Sequence, residues 1–341
     1  MEIHQGGVNS FSKELKNILG EKKMYLIVDE NTSQYVNYLE KSLSISATYL
    51  ELENGEKNKN FNSVLKVWNF LNHNNLKTND ILFILGGGML TDLAGFAAST
   101  YKRGIEFVFL PTTLLAMADA AIGGKTGFNY QFLKNNIGTF TLPKAVFIDT
   151  IFLKTLPKRE IDSGIAEVYK HGIIGDVNLW DYLKENTEKL DYHRLIKSSY
   201  KLKLEIVNKD PHEKGLRKKL NFGHTIGHAI ESYLLNSNSP TLHGFAIAKG
   251  MVAESYFAKK ENLLTEDNFQ EIKTVLNNKF VNYFNFKIDP KEIIHLMLSD
   301  KKNTKNSINF SLPQKIGEVT INHEIDVEKV ESYLLDFFQN D

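Results

Sequence analysis

The stretch LNFGHTIGHAIE, residues 220–231, sets His224 and His228 four positions apart, with Asn221 just ahead and Glu231 behind. On a helix this spacing brings both imidazoles to one face, as in a zinc-peptidase helix. Peptidase chemistry needs a glutamate directly after the first histidine as general base, and Thr225 stands there instead. Two other uses fit the pair. Both rings could simply pack, or one could ligate a metal while the other moves protons near neutral pH. The chain holds no cysteine, so thiolate-bound zinc and disulfides are excluded and a metal must take histidine, carboxylate and water. Glu167 and His243, with one of the two histidines, make a Glu/His/His set that leaves a coordination position open.

Other stretches carry chemistry of a different kind. In ILFILGGGMLTDLAGF an apolar strand runs into Gly86, Gly87 and Gly88, and a helix is expected from near Thr91. Glycine lets backbone N–H groups approach a pyrophosphate, and a helix N-terminus favours its charge. The spacing is not G-x-G-x-x-G, so a plain tight turn fits too, and Asp92 then serves only the helix dipole. Residues 110–138, LPTTLLAMADAAIGGKTGFNYQFLKNNIG, predict a long functional loop, with Lys125 behind two glycines and Lys134 beside Asn135 placed for phosphate. In LPKREIDSGIAEVYKHGII, Glu167, Lys170 and His171 sit together on an expected helix, where a lone Glu–Lys pair is ordinarily a solvated face. HEKGLRKKLNFGHTIGHAIE concentrates Glu213, Arg217 and Asn221 next to the histidine pair, and LHGFAIAKGM places His243 at another helix start.

The elements that must hold these residues have two textures. Up to about residue 150, MYLIVDE (24–30), ILFILGGG (81–88), FVFLPTT (107–113) and AVFIDT (145–150) are continuous apolar runs, the pattern of parallel strands buried on both faces. VLKVWNFLNHNNL and TDLAGFAASTY between them have helical spacing, which gives βαβ units, and LENGEKNKNFN is expected as a polar loop. After about residue 155 the pattern turns helical through REIDSGIAEVYKHGII, YHRLIKSSYKLKLEIVNK, KLNFGHTIGHAIESYLL, HGFAIAKGMVAESYFAKKEN and EDNFQEIKTVLNNKF, with one hairpin from INFSLP and KIGEVTI. A length of 341 residues also exceeds what one core ordinarily supports. The fold class expected is an α/β nucleotide-type domain followed by a mostly α-helical one.

Hydrophobic content of 42% with 41 basic and 41 acidic residues describes an ordinary globular protein, and zero net charge points to no nucleic-acid or membrane-surface partner. No apolar run approaches the roughly 18–20 residues of a membrane span. No signal peptide is legible in MEIHQGGVNSFSKELKNILG, so the cytoplasm is the expected compartment.

Taken together, the motifs resemble the 3-dehydroquinate synthase family of sugar phosphate cyclases. Seven ordered blocks carry the resemblance across nearly the whole chain: GGGMLTDLAGFAAS, KRGIEFVFLPTTLLAMADAAIGGKTGFN, LKNNIG, LPKREIDSGIAEVYKHG, KGLRKKLNFGHTIGHAIE, LHGFAIAKGM and SDKKN. The resemblance implies a Rossmann-like NAD-binding domain over 1–153 and a helical metal- and substrate-binding domain over 154–341. It implies one divalent metal, zinc or cobalt, on Glu167, His224 and His243, with His228 left for proton transfer or phosphate contact. NAD is implied on Gly86, Gly87, Gly88, Asp92, Thr112, Thr113, Lys125, Lys134 and the Gly55–Glu56 loop. Asp119, Lys125, Asn135, Lys170, Lys203, Arg217, Asn221 and one of Lys301 and Lys302 are implied for the substrate's carboxylate, hydroxyls and phosphate. Glu213 matches a proton acceptor, and Arg103 is implied to reach the phosphate from a neighbouring subunit, hence a homodimer. The implied substrate, 3-deoxy-D-arabino-heptulosonate 7-phosphate, is oxidised at C5, loses phosphate by elimination, is reduced again and closes by an aldol step. Its two anionic groups account for the lysines and arginine. The chain departs from the family's pattern at Thr91, Ala120, Ala121, Leu133 and Phe245, the last beside His243. Competing expectations are a sugar phosphate cyclase for another substrate, a metal-dependent polyol dehydrogenase with net hydride transfer, and a nucleotide-binding scaffold with a decayed site.

Overall fold

The computed structural model describes residues 1–131, 133–187, 189–235, 240–285, 287–298 and 306–340. Two compact units divide the chain, Met1–Pro157 and Lys158–Asp341.

The first unit runs β1 (Glu2–Gln5), α1 (Val8–Leu19), β2 (Met24–Asp29), α2 (Val36–Leu43), β3 (Ala47–Leu52), α3 (Phe61–His73), β4 (Ile81–Gly86), α4 (Gly88–Thr100), β5 (Glu106–Pro111), β6 (Lys125–Tyr130), β7 (Leu133–Phe140) and β8 (Ala145–Ile148). Six strands form one parallel sheet in the order β1-β8-β5-β4-β2-β3. All six residues of β2 and of β4 are buried, as continuous apolar runs require in a sheet covered on both faces. From β2 the chain goes outward to β3 and then crosses back to β4 on the other side. The strand order therefore switches between β2 and β4, where parallel sheets bind ligands at their carboxyl ends.

The second unit runs α5 (Lys158–Ile174), α6 (Val177–Glu185), α7 (Tyr192–Lys209), α8 (His224–Leu235), α9 (His243–Lys260), α10 (Glu266–Phe280), α11 (Pro290–Leu298), β9 (Ser307–Lys315), β10 (Glu318–Asp326) and α12 (Val327–Asn340). Side-chain caps start several of these helices: Asp176, Asp191 and Thr265 accept from the backbone N–H of Leu179, Arg194 and Asn268. Fourteen of the eighteen residues of α9 are buried, so this helix is the core of the unit. No described helix is long and apolar enough to cross a membrane.

Three expectations need correction. Residues 110–138 are not a long loop: after β5 comes a short turn of π-helix (Ala116–Ala120), then the β6–β7 hairpin, antiparallel with Lys125 opposite Phe140. Alternation was hidden there because glycines 124, 127 and 138 occupy positions where the backbones pack too closely for side chains. Helix α4 begins at Gly88, three residues ahead of Thr91, so the third glycine is helical. Helix α8 begins at His224, and KLNF belongs instead to a 3-10 turn over Leu216–Asn221 and the residues that follow it.

Candidate functional site

At the carboxyl edge of the sheet, β4 ends against β5 with Gly86 opposite Pro111, and Thr112 N–H donates to Gly86 O at 3.0 Å. This register lays Thr112 and Thr113 alongside the glycine turn. A Cβ on Gly87 would come within 2.9 Å of the Thr113 methyl, so glycine is needed there for close approach. Thr113 Oγ1 accepts from Ala116 N–H at 3.2 Å and caps the following turn, a role the sequence did not suggest. Thr91 is fully buried and turns its hydroxyl back to Gly88 O at 3.1 Å. A Cβ on Gly88 would meet Ala120 at 3.2 Å, while Ala121 is buried.

Charged candidates beside this turn bind one another. Lys59, within a stretch expected to be a polar loop, is 3% exposed; its Nζ lies 2.6 Å from Asp92 Oδ2 and 2.5 Å from Asn135 Oδ1. Asn129 joins the same group, donating to Glu56 Oε1 at 2.8 Å and accepting from Asn135 N–H at 2.8 Å. Sequence reasoning missed Lys59 and Asn129. The signal that could have found Lys59 was its place between the Gly55–Glu56 turn and the Asn60 cap of α3. Asp119 is half-buried in the π-helical turn, Lys125 is exposed at the head of β6, and Lys134 is half-buried on β7. Arg103 is exposed and sits in a run of three left-handed residues, with φ of 49° at Lys102, 69° at Arg103 and 115° at Gly104. Lys102 Nζ anchors that run on Leu76 O at 2.6 Å.

In the helical unit, Glu167 and Lys170 lie one turn apart on α5 and are 0% and 1% exposed. They form a buried ion pair through Glu167 Oε2, not the solvated face their sequence suggests. Glu167 Oε1 faces two imidazoles, His224 Nε2 at 3.5 Å and His243 Nε2 at 3.3 Å. The opposite nitrogens are held from behind: His224 Nδ1 lies 3.0 Å from Phe222 O, and His243 Nδ1 lies 3.2 Å from Glu231 Oε2. The Phe222 carbonyl fixes the tautomer of His224 so that its Nε2 presents a lone pair inward, and Glu231 orients the ring of His243, as the partners of metal-ligating histidines do. The site thus joins α5 with the first residues of α8 and α9. His228 is exposed, its ring 5.0 Å from that of His224 and 5.8 Å from that of His243, and donor atoms of all three histidines lie within 4.8 Å of one another. The helical spacing therefore does bring the pair to one face.

Burial and the Lys170 ammonium hold His224 well below the usual imidazole range, so it is neutral and ready to ligate. Burial also opposes charge on His243, but the Glu231 and Glu167 carboxylates outweigh it and raise that imidazole to about 10. Phe245, despite its place beside His243, is fully buried and stacks on Tyr283 with ring centroids 4.0 Å apart. Its contacts are with helix packing, and Glu231 supplies the acidic partner of His243.

The loop before α8 wraps around Asp210, whose carboxylate accepts from the N–H groups of Lys214, Gly215 and Arg217. That wrapping sets Glu213 at a left-handed φ of 57°, where Asn221 donates to its Oε1 at 2.6 Å. Arg217 is 2% exposed and donates to Pro211 O at 2.8 Å. Lys203 is buried on α7. Lys301 and Lys302 lie outside the described residues.

A parallel sheet with a switch-point glycine turn, followed by a mostly helical unit, is a fold that the chain shares with solved sugar phosphate cyclases. The chain superposes on 2-deoxy-scyllo-inosose synthase, complexed with carbaglucose-6-phosphate, NAD+ and Co2+, with a TM-score of 0.88 at 22% identity over 98% of this chain and 96% of that one. It superposes on 2-epi-5-epi-valiolone synthase from Streptomyces hygroscopicus, with NAD+ and Zn2+ bound, with a TM-score of 0.86 at 23% identity, covering 100% and 97%. Similarity is lower to a probable glycerol dehydrogenase from Sinorhizobium meliloti, with a TM-score of 0.66 at 14% identity, covering 100% and 97%. The particular family follows from sequence: the 3-dehydroquinate synthase N-terminal model matches residues 49–163 and the C-terminal model residues 164–303. The 3-dehydroquinate synthase of Parabacteroides distasonis is 40% identical over 93% of this chain and 91% of its own length. That of Streptococcus pneumoniae is 38% identical over 98% and 96%. The chain belongs to the 3-dehydroquinate synthase family and is an enzyme.

Proposed function

We propose that the chain is the lyase that converts 3-deoxy-D-arabino-heptulosonate 7-phosphate to 3-dehydroquinate and phosphate, a step of the shikimate pathway toward chorismate and aromatic amino acids. The observation that carries this reading is the family match over both halves of a chain whose Glu167, His224 and His243 face one another. The residues fit one divalent cation, zinc or cobalt: one carboxylate and two imidazoles converge, each ring oriented from behind, and no softer donor competes. The glycine turn at the switch point, packed closely against Leu90, Thr113 and Ala120 where α4 begins, fits the pyrophosphate of NAD. Bound at the glycine turn, NAD would supply reversible hydride acceptance for the substrate's C5, and a cation on Glu167, His224 and His243 would supply polarisation of the neighbouring oxygens.

The chain's own groups do the rest. Lys170 offsets the charge of Glu167 and, with burial as the larger cause, keeps His224 neutral. Arg217 and Lys203, buried cations, answer the substrate carboxylate; Asp119, Lys125 and Asn135 orient its hydroxyls and phosphate. Asn221 donates to the Glu213 carboxylate and holds it in place as the proton acceptor. His228, exposed next to the ligand cluster, exchanges a proton with the departing phosphate. We place this enzyme in the cytoplasm as a homodimer, the backbone strain around Arg103 presenting that side chain to the phosphate in a neighbouring copy.

The test is phosphate release from the heptulosonate phosphate with and without NAD and with a chelator. Phosphate should appear only with NAD and cation together, without net NADH. Accumulation of NADH equal to product would overturn the cyclase reading in favour of a polyol dehydrogenase.

A further inference from the structure

We infer that Glu254 is a positioning residue for the metal centre, holding from α9 the peptide that orients His224 on α8. The inference rests on the proposal that Glu167, His224 and His243 ligate the cation.

Helix α8 starts at its ligand, His224, and the first N–H groups of a helix have no partner within it. No serine, threonine or aspartate precedes it; Asn221, Phe222 and Gly223 do. Glu254, 0% exposed, fills that need from another helix: its Oε2 accepts from Gly223 N–H at 2.6 Å and its Oε1 from Ile226 N–H at 3.0 Å. The Gly223 N–H belongs to the same planar peptide as Phe222 O, and Phe222 O is what His224 Nδ1 meets at 3.0 Å. A continuous chain therefore runs from the Glu254 carboxylate through one rigid peptide to the imidazole whose Nε2 faces Glu167. Turning that peptide turns the ring.

Only a close helix crossing lets a glutamate reach this far. A Cβ on Gly250 would lie 2.1 Å from Gly223 O and 2.7 Å from Gly227 N, and one on Gly227 would lie 2.8 Å from Ile247 Cδ1. Glu254 follows Gly250 by one turn of α9 and so arrives at the head of α8. The same helix bears His243 as its first residue. Two ligands are thus set by one glycine-packed helix pair, with Glu254 as its polar fastener, both carboxyl oxygens accepting at the head of α8.

The experiment compares zinc affinity by chelator competition, and the visible absorption of the Co2+-loaded protein, for the full chain and for Glu254→Gln, Glu254→Asp and Ser255→Ala. Gln keeps the size but turns an N–H group toward one of the backbone donors. Loss of an outer-shell partner typically weakens metal binding about 10–100-fold, and that loss is expected here, with a changed Co2+ spectrum. Ser255, buried on the same helix, has no hydrogen-bond partner among the described residues and its substitution should change neither readout. Should the Glu254 variants fail to fold, amide hydrogen exchange on the unsubstituted metal-free protein decides, since Gly223 and Ile226 N–H must then be strongly protected. Wild-type affinity and spectrum in Glu254→Gln, or rapid exchange at those amides, overturns the inference. An unsubstituted chain that takes up no zinc overturns the ligand assignment itself, and the inference with it.

Discussion

At the carboxyl edge of the sheet, where we propose that NAD binds, what the chain offers is chiefly backbone. The charged side chains around the glycine turn bind each other: Lys59 holds Asp92 and Asn135, and Asn129 holds Glu56. In the helical unit the offer is side chains. Glu167, His224 and His243 turn their reactive atoms toward one another, and the backbone behind them only orients. A pyrophosphate needs many weak N–H donors in a fixed curve, so the first site can keep its charges occupied. A divalent cation needs a few strong donors held at close quarters, and without it Lys170 and a proton on His243 balance the carboxylates of the second site. Metal removal should therefore disturb the helical unit, and removal of NAD should leave the sheet edge almost unchanged.

The largest expected effect breaks the comparison inside the helical site itself. His224→Ala should lose the cation and all turnover, since a three-residue ligand set does not survive the loss of one member. His228→Ala should keep the cation while turnover falls about 10²–10⁴-fold, the usual worth of a general acid–base group. Metal content and turnover measured on both proteins separate the roles. The three histidines share one neighbourhood, with donors within 4.8 Å, so equal zinc loss in both variants would make His228 a ligand.

A smaller effect is expected at the sheet edge. Lys59→Met leaves Asp92 and Asn135 without their shared cation. Breaking a buried pair costs about 3–5 kcal/mol; here the Asp92 side chain keeps 21% exposure, so roughly 2 kcal/mol is expected. NAD affinity should fall along with it while zinc affinity stays put, as fluorescence titration and chelator competition would show. Zinc affinity falling in parallel would mean that the two sites are not built independently.

These two regions also differed in how legible they were in the sequence. Strands β2, β4 and β5 announce themselves because burial on both faces forces unbroken apolar runs. Strands β1 and β3 lie at the edges of the sheet, and β3 buries only Leu52, so neither shows such a run. In the helical unit, the stretches that carry Glu167, His224 and His243 were read as helices, although α8 starts at His224 and not at KLNF, and the structure brings the three side chains together. Helices α6, α11 and α12 went unread. Lys59 was missed because loop composition speaks of solvent, while its burial depends on Asp92 and Asn135, far along the chain. Burial of the Glu167–Lys170 pair was missed for the same reason: spacing gives a shared face but does not say what covers it.

The least dramatic prediction concerns protons, and it sharpens the claim that a proton on His243 balances the metal site until the cation binds. In the metal-free protein His243 is raised from 6.5 to about 10 by Glu231 and Glu167, against burial. A cation needs the bare Nε2, so it must displace that proton. Between about pH 7 and 9 the bare fraction rises roughly tenfold per pH unit, and zinc affinity should rise with it, about 1.4 kcal/mol per unit. The stability of the metal-free fold moves the other way. A raised imidazole contributes stability that is full below about 6.5 and is lost as pH climbs through about 10. Calorimetric titration in buffers of different ionisation enthalpy should count about one proton released per zinc at about pH 8. Glu231→Gln removes one of the two carboxylates, so it should move the plateau of affinity to lower pH and reduce the proton count. Flat affinity above about pH 7.5 in the unsubstituted protein would mean that His243 titrates as an ordinary imidazole, and that the carboxylates around it orient the ring without charging it.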